Sequence, residues 1–528
     1  MSTITQFDTE QTWKDFAAQI PRNIIANISF FLISVITGIL LVPYFLSTLG
    51  IAAYGLIPLA TSITGYVAIV VQSLNTAVSR FLTIDLRQKD FASANRTFNT
   101  AFFGLSAIIL LMVPVILLIS WYVPFIFNVP PEQENDAFLL FLGISAAFLI
   151  RSWSGNFTVQ LFAYNRLDLQ NLVNLTDLFV RIGLIIVSFN LLGPDLALIG
   201  GASLAAAVIA SGVSIILARR ICPHLRISIV SFDRSKVRDL CGSGGWIFLD
   251  SIGTLFLFQI DLIIVNLLFG ATSAGEYAIA MQWGSTLQII AATLVGVLVP
   301  IIFSYYAMKH TTILIQITKS AVKMMGLAMA LPVGLICGFA PLLLTLWVGA
   351  EYANLAPLLV LLTAHLVVNM SVLPLFPINV AHNQLRIPGL MTLIFGITNL
   401  ILAIIIPLVT GWGYYGVALA GVITLTFRHV LFVPWYAAKI LKIRITIYLR
   451  SFIPGTIAML CIGGTAAVII FFTNLHSLFM LLIAGTCITL IYGAIVLYFG
   501  LTHDEKQFLN QICRKDFFNL NKSSNNND

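Results

Sequence analysis

The chain has 528 residues, 59% of them hydrophobic and only 9% charged, with a mean hydropathy of +0.98 and a formal net charge of +7. No soluble domain of this size has that composition, so an all-α polytopic membrane protein is expected: a lipid-embedded backbone satisfies its hydrogen bonds within helices. The positive balance reads as basic loops retained on the cytoplasmic side of a membrane, and no nucleic-acid partner is expected.

Residues 1–22 form a cytoplasmic lead, in which Trp13, Phe16, Ala17 and Ile20 share one helical face while Lys14 and Asp15 lie elsewhere. That pattern predicts a short interfacial helix, ended by Pro21. Between Arg22 and Arg80 there is no charged residue, and this stretch holds two predicted spans, 23–48 and 54–82. Spans at 98–121, 137–163, 172–192 and 196–218 complete an N-terminal six-helix half, 23–220. A basic cytoplasmic linker, 221–245, leads into a C-terminal half, 246–440, with spans at 246–269, 276–305, 318–346, 355–381, 388–410 and 414–438. From Arg450 to Asp504 charge is absent again, which places a last helix pair, 451–473 and 478–500, within 451–500, ahead of a cytoplasmic tail at 501–528. About fourteen transmembrane helices result, each with the roughly 20 apolar residues that a bilayer requires. No cleavable signal peptide is expected, because the first apolar segment is too long for one.

The charges sort by side. Arg80, Arg87, Lys89 and Arg96 follow the second span, Arg219, Arg220, Arg226, Arg234, Lys236 and Arg238 the sixth, and Lys439, Lys442, Arg444 and Arg450 the twelfth. The opposite loops carry acids alone: Glu132, Glu134, Asp136, Asp195, Glu276 and Glu351. The positive-inside rule therefore places the chain in the cytoplasmic (inner) membrane with both termini cytoplasmic. Six scattered Cys form no CxxC, Gly242 to Gly245 lacks the Gly-Lys-Ser/Thr of a nucleotide loop, and no catalytic triad or metal cluster is visible, so neither an enzyme nor a resident cofactor or metal is expected.

The chain repeats itself. Ala163-Tyr164-Asn165-Arg166-Leu167 returns as Ala381-His382-Asn383-Gln384-Leu385, Gly50 with Tyr54 as Gly270 with Tyr277, and Gly200 as Gly416. Each repeat holds six helices, an even number, so the two halves share one topology and relate by an axis along the membrane normal, with the final pair outside the duplication. This plan resembles the multidrug/oligosaccharidyl-lipid/polysaccharide exporter superfamily. Asp261 to Gly270 (DLIIVNLLFG) followed by Gly275-Glu276-Tyr277-Ala278, together with Leu49-Gly50 and Tyr54-Gly55, is similar to its polysaccharide flippase branch. The resemblance implies a flippase that moves a polyprenyl-pyrophosphate-linked oligosaccharide, such as an O-antigen unit, across the membrane for surface polysaccharide biosynthesis. Other polysaccharide assembly proteins would be its partners. Fourteen helices also match lipid II flippases, in which the last pair would form a groove for the lipid tail. A multidrug/cation antiporter of the same superfamily is a further reading.

Charges inside spans point to the site. A centred Arg costs roughly 2.5–3.5 kcal/mol on insertion scales, so each needs a compensating role. Arg151, Arg181 and Arg428 lie within spans. Arg151 has Ser154 and Thr158 on or near its face, Arg428 has Gly421 and Thr424, and Arg181 follows Asp177 by one turn, the spacing of a local ion pair. A guanidinium fork bonds two phosphate oxygens at once, so a cationic cavity holding a pyrophosphate is expected, with Arg22 and Arg80 at helix ends guiding the headgroup. Asp250 and Asp261, eleven residues apart, would share a face of one helix and bind a driving H+ or Na+. The plainer alternative is that these charges pair and hold the bundle together.

Overall fold

The computed structural model describes residues 3–88, 90–236, 245–308, 310–473, 477–502 and 505–506; the side chains of 3–18, 20, 67, 69–77, 80, 84, 87, 245, 247, 300 and 307 are not described. All regular structure among these residues is helical. Twelve helical segments are long and apolar enough to cross a membrane, and two shorter apolar ones, Ile51–Tyr66 and Phe248–Phe258, accompany them. The protein is a polytopic all-α membrane protein. Its large exposed side chains, such as Leu110, Phe125, Leu191, Val409 and Phe471, suit contact with lipid.

The first unit comprises Met1–Ile279 and Leu385–Gly421, the second Ala280–Gln384 and Val422–Asp528. The compact units interleave in sequence. In the first, α1 (Thr3–Leu49), α2 (Ile51–Arg87), α3 (Phe91–Ile126), α4 (Glu134–Ala163), α5 (Leu167–Leu192) and α6 (Leu196–Ile221) are joined by α7 (Gly245–Phe258) and the start of α8 (Ile260–Ala307). Helix α14 (Arg386–Thr410) and the first part of α15 (Tyr414–Thr426) complete it. Small residues set its contacts. A Cβ on Gly143 of α4 would collide with the backbone of Gly200 of α6, and one on Gly253 of α7 with that of Thr392 of α14. Without a hydrophobic force between helices in lipid, such close backbone approach supplies the packing energy.

The rest of α8 belongs to the second unit, with α9 (Thr311–Gly338), α10 (Ala340–Trp347), α11 (Ala356–Ala364), α12 (Leu366–Ser371) and α13 (Phe376–Ala381). Helices α16 (Val433–Leu441), α17 (Thr446–Phe472) and α18 (Leu478–Ile495) follow. Gly326 of α9 meets Gly455 of α17, and Gly334 meets Ile462 one step along the same seam. Val322, Val372, Leu375 and Tyr448 form its core, where the Tyr448 hydroxyl lies 3.0 Å from that of Thr318.

Several expected boundaries shift, each for a local reason. Helix α1 runs through Pro21 without ending. Proline's fixed φ is helical, so the chain stays helical there at the loss of one backbone hydrogen bond. The segment expected as one helix at 355–381 is divided at His365 and around Pro374, and the 414–438 segment contains a π-turn, Phe427–Phe432. Pro434 follows that turn and lacks the N–H an α-helix needs there, and the Val433 N–H bonds back to the Arg428 carbonyl instead.

Two pairs of residues that the expected repeat aligns share a backbone conformation. Asn165 (φ 57°) and Asn383 (φ 53°) both adopt the left-handed conformation after α4 and α13. Each is framed by the same hydrogen bonds, Arg166 N–H to Leu161 O and Gln384 N–H to Asn379 O, both 2.8 Å. Gly50 (φ 80°) and Gly270 (φ 89°) match in the same way.

Candidate transport site

Three polar clusters lie within the apolar helices. The first is basic. Arg151 of α4 donates from Nε to the Asp177 carboxylate of α5 at 2.8 Å, with its side chain 34% exposed and that of Asp177 16%. Its Nη2 points to the Ser203 carbonyl of α6 at 3.5 Å. Arg181 lies one turn beyond Asp177 and within electrostatic reach of both charges. The one-turn spacing therefore does not make the expected Asp177–Arg181 pair; Asp177 pairs with Arg151 across two helices. Arg151 alone bonds the carboxylate and Arg181 lies near enough to feel it, so this cluster holds two guanidinium groups and one carboxylate. Ser154 and Thr158 bond backward to the Arg151 and Gly155 carbonyls within their own helix.

The second cluster is acidic. Asp261, at the start of α8, is 8% exposed. Its Oδ1 accepts from Asn399 Nδ2 of α14 at 3.0 Å, and its Oδ2 from the Tyr277 hydroxyl at 3.4 Å. The same Asn399 nitrogen donates to the Phe256 carbonyl at 2.9 Å. Gly421 passes so close that a Cβ there would lie 3.0 Å from Asp261 Oδ2. Among the described residues, no Lys, Arg or His makes an ion pair with Asp261. The expected single face with Asp250 is not formed by one continuous helix, because Gln259 separates α7 from α8. Asp250 is half-buried beside Gly389 at the start of α14, and Thr254 bonds its backbone carbonyl.

The third cluster, in the second unit, surrounds Arg428, 6% exposed on the π-turn. Its Nη1 lies 2.8 Å from His429 Nε2, and its guanidinium carbon sits 5.3 Å from the Phe376 ring centroid, a cation–π distance. Two residues before Arg428, Thr426 Oγ1 lies 3.2 Å from Asn369 Nδ2, which also contacts His365 Nδ1 at 2.6 Å. The same unit contains an apolar cavity of about 340 Å³ walled by Trp283, Phe339, Leu343, Leu481 and Gly485.

The remaining expected residues lie at the ends. Arg22 is exposed on α1, whose next residue, Asn23, donates to Asn165 O at 2.8 Å and accepts from Asp168 N–H at 3.1 Å. The Arg80 side chain lies outside the described residues. Sequence reasoning passed over Asn399, Asn369, His365 and His429. All are polar groups inside apolar spans, and extending the intramembrane-charge criterion to neutral donors and acceptors finds them.

A family model described as polysaccharide biosynthesis protein matches residues 20–306, more than half of the chain. The chain belongs to that family. Its sequence is 29% identical over 495 residues, 93% of this chain and 98% of the relative, to the uncharacterized membrane protein EpsK of Bacillus subtilis (strain 168). The fold is similar to solved multidrug resistance MATE family transporters of the MOP superfamily. The outward-facing form gives a TM-score of 0.57 at 16% identity, covering 85% of this chain and 96% of that one. The inward-facing form gives 0.55 at 16%, covering 83% and 96%. The Vibrio cholerae MATE transporter VcmN in its bent form gives 0.54 at 15%, covering 85% and 99%.

Proposed function

We propose that the protein is a secondary-active flippase for a polyprenyl-pyrophosphate-linked oligosaccharide, working by alternating access. The observation that carries this reading is the charge excess at Arg151, Asp177 and Arg181: one carboxylate against two guanidinium groups, with Arg151 a third exposed. A pyrophosphate supplies the missing negative charge, and a guanidinium binds it in bidentate fashion. Arg428, within the second unit, is a further candidate for binding a phosphate, Arg22 and Arg80 guide headgroups from the basic side, and the cavity against Trp283 and Leu481 receives lipid-tail methylenes.

Asp261 is the coupling residue. A buried carboxylate with amide and hydroxyl donors but no basic partner is a place for a cation, H+ or Na+, to bind. Asp250 is the second candidate for that role.

The test is transfer of a fluorescent polyprenyl-pyrophosphate oligosaccharide in proteoliposomes under H+ or Na+ gradients, with Arg151→Ala and Arg428→Ala beside wild type. Gradient-dependent transfer that falls at least ten-fold in folded variants supports the reading; undiminished transfer in both variants reduces these arginines to structural ions. Lipid II in the same vesicles distinguishes the lipid II flippase. The MATE-like fold motivates a second reading, a multidrug/cation antiporter, which ethidium efflux without glycolipid transfer would favour.

A further inference from the structure

A cavity of about 360 Å³ lies within the first unit, at the ends of α3, α4 and α6 that carry the basic loops. Its floor is apolar, with Phe98 and Phe157 packed edge to face and both at most 3% exposed. Its rim holds Arg219, in the last turn of α6, and Arg226, in the loop that follows. Both are exposed, and among the described residues neither makes an ion pair. No acidic side chain lines the space.

The cavity is a built feature. Gln160 is 97% buried (3% exposed) and lines it. Its carboxamide offers donors to a polar guest. Arg226 is held at the rim by its own backbone: its N–H donates to Asn95 Oδ1 at 3.0 Å, and its carbonyl accepts from Asn99 Nδ2 at 2.8 Å. Ser228 N–H donates to Asn99 Oδ1 at 2.8 Å, so fully buried Asn99 brackets Ile227, and Asn95 and Asn99 together hold the two backbone groups of Arg226.

We propose that this cavity binds a phosphate-bearing amphiphile. Arg219 and Arg226 hold the phosphate, Gln160 donates to it, and the apolar portion lies on Phe98, Phe157 and Leu225. The site is separate from the transport cluster: Gln160 lies nine residues beyond Arg151 on α4, about 13 Å along the helix at 1.5 Å per residue. Its volume is at the small end of ligand pockets, roughly 300–1,000 Å³, which suits a single headgroup and excludes an oligosaccharide. Phosphate chemistry comes from two sources here, an anionic phospholipid of the adjacent leaflet or a soluble phosphate monoester. The inference does not depend on the transport reading.

The experiment is native mass spectrometry of the full-length protein with phosphatidylglycerol, phosphatidylethanolamine or glycerol 3-phosphate as probes. Wild type should retain phosphatidylglycerol over phosphatidylethanolamine. The Arg219→Gln/Arg226→Gln double variant should lose retention at least five-fold. Arg220→Gln removes the same charge outside the lining and should retain it. Gln160→Glu, nearly isosteric, should lose retention without disturbing the fold, and carries the test if the double variant does not fold. Displacement by glycerol 3-phosphate assigns the site to soluble phosphate esters; lack of competition assigns it to membrane phospholipid. Equal retention of phosphatidylglycerol by wild type and the double variant, or unchanged retention in Gln160→Glu, overturns the proposal.

Discussion

Asn399 donates to the Asp261 carboxylate at 3.0 Å and, from the same nitrogen, to the Phe256 carbonyl at 2.9 Å. One amide thus ties the acid to the end of the preceding helix, whose termination at Gln259 frees backbone groups close by. An ion bound at Asp261 is therefore felt by α7, α8 and α14 together.

If that acid couples transport to a gradient, Asp261→Asn should abolish gradient-driven accumulation while leaving downhill exchange of glycolipid. Asn399→Leu should weaken ion binding by about 1–3 kcal/mol, the cost of one lost hydrogen bond to a buried charged group. Initial transfer rates against Na+ concentration and pH check both; an unaltered ion dependence in Asp261→Asn sinks the coupling role.

The basic cluster makes a stability prediction. Asp177→Asn leaves Arg151 and Arg181 facing each other without a carboxylate. Breaking a buried pair costs about 3–5 kcal/mol; with Arg151 a third exposed, about 1–3 kcal/mol is expected here. Thermal unfolding in detergent should show that loss. Pyrophosphate should restore part of it in the variant, and the absence of any shift would mean the ion pair is idle.

The seam between α9 and α17 is limited by its smallest residues. A side chain on Gly455 would run into the backbone of Gly326. Gly455→Val should destabilise the second unit by about 1–3 kcal/mol through overpacking, whereas Gly464→Val, where there is open space, should be close to neutral. Paired melting curves decide it.

Glu505 links the segment after α18 to α9. Burial pushes its carboxyl up, but Lys323 Nζ at 2.8 Å and the Thr502 N–H at 2.8 Å outweigh that and hold it below the ordinary glutamate value of 4.5. A depressed native value stabilises the docked form above the unfolded value and loses that contribution as pH falls through the native one. Protection of the Leu501 and Thr502 amides, corrected for the intrinsic exchange rate, should therefore hold at neutral pH and be lost in acid, below the ordinary glutamate value of 4.5. Glu505→Gln should exchange fast throughout; pH-independent protection would count against the contact.

Much of this architecture was legible because a membrane makes charge expensive. Arg22 and Arg80 bracket the first apolar stretch, Arg450 and Asp504 the last, and Asn165 with Asn383 betray the repeat. What stayed hidden depends on backbone detail and on partners distant in sequence. Nothing local in Asp250 to Asp261 announces the break at Gln259, and helical spacing proposes Arg181 for Asp177 while Arg151, 26 residues before it, takes the bond. The π-turn at Arg428 was foreshadowed only by Pro434, and the partnership of Asp261 with Asn399 spans 138 residues.

The paired left-handed asparagines carry an evolutionary consequence. Asn165 is flanked by Tyr164 and Arg166, Asn383 by His382 and Gln384, so the neighbours have drifted while the turn has not. A left-handed residue other than glycine costs roughly 1–2 kcal/mol unless its side chain is asparagine-like, so selection has little freedom at that one position. The same turn thus closes segments of different polar chemistry, one carrying the Arg151–Asp177 pair and the other the His365–Asn369 contact.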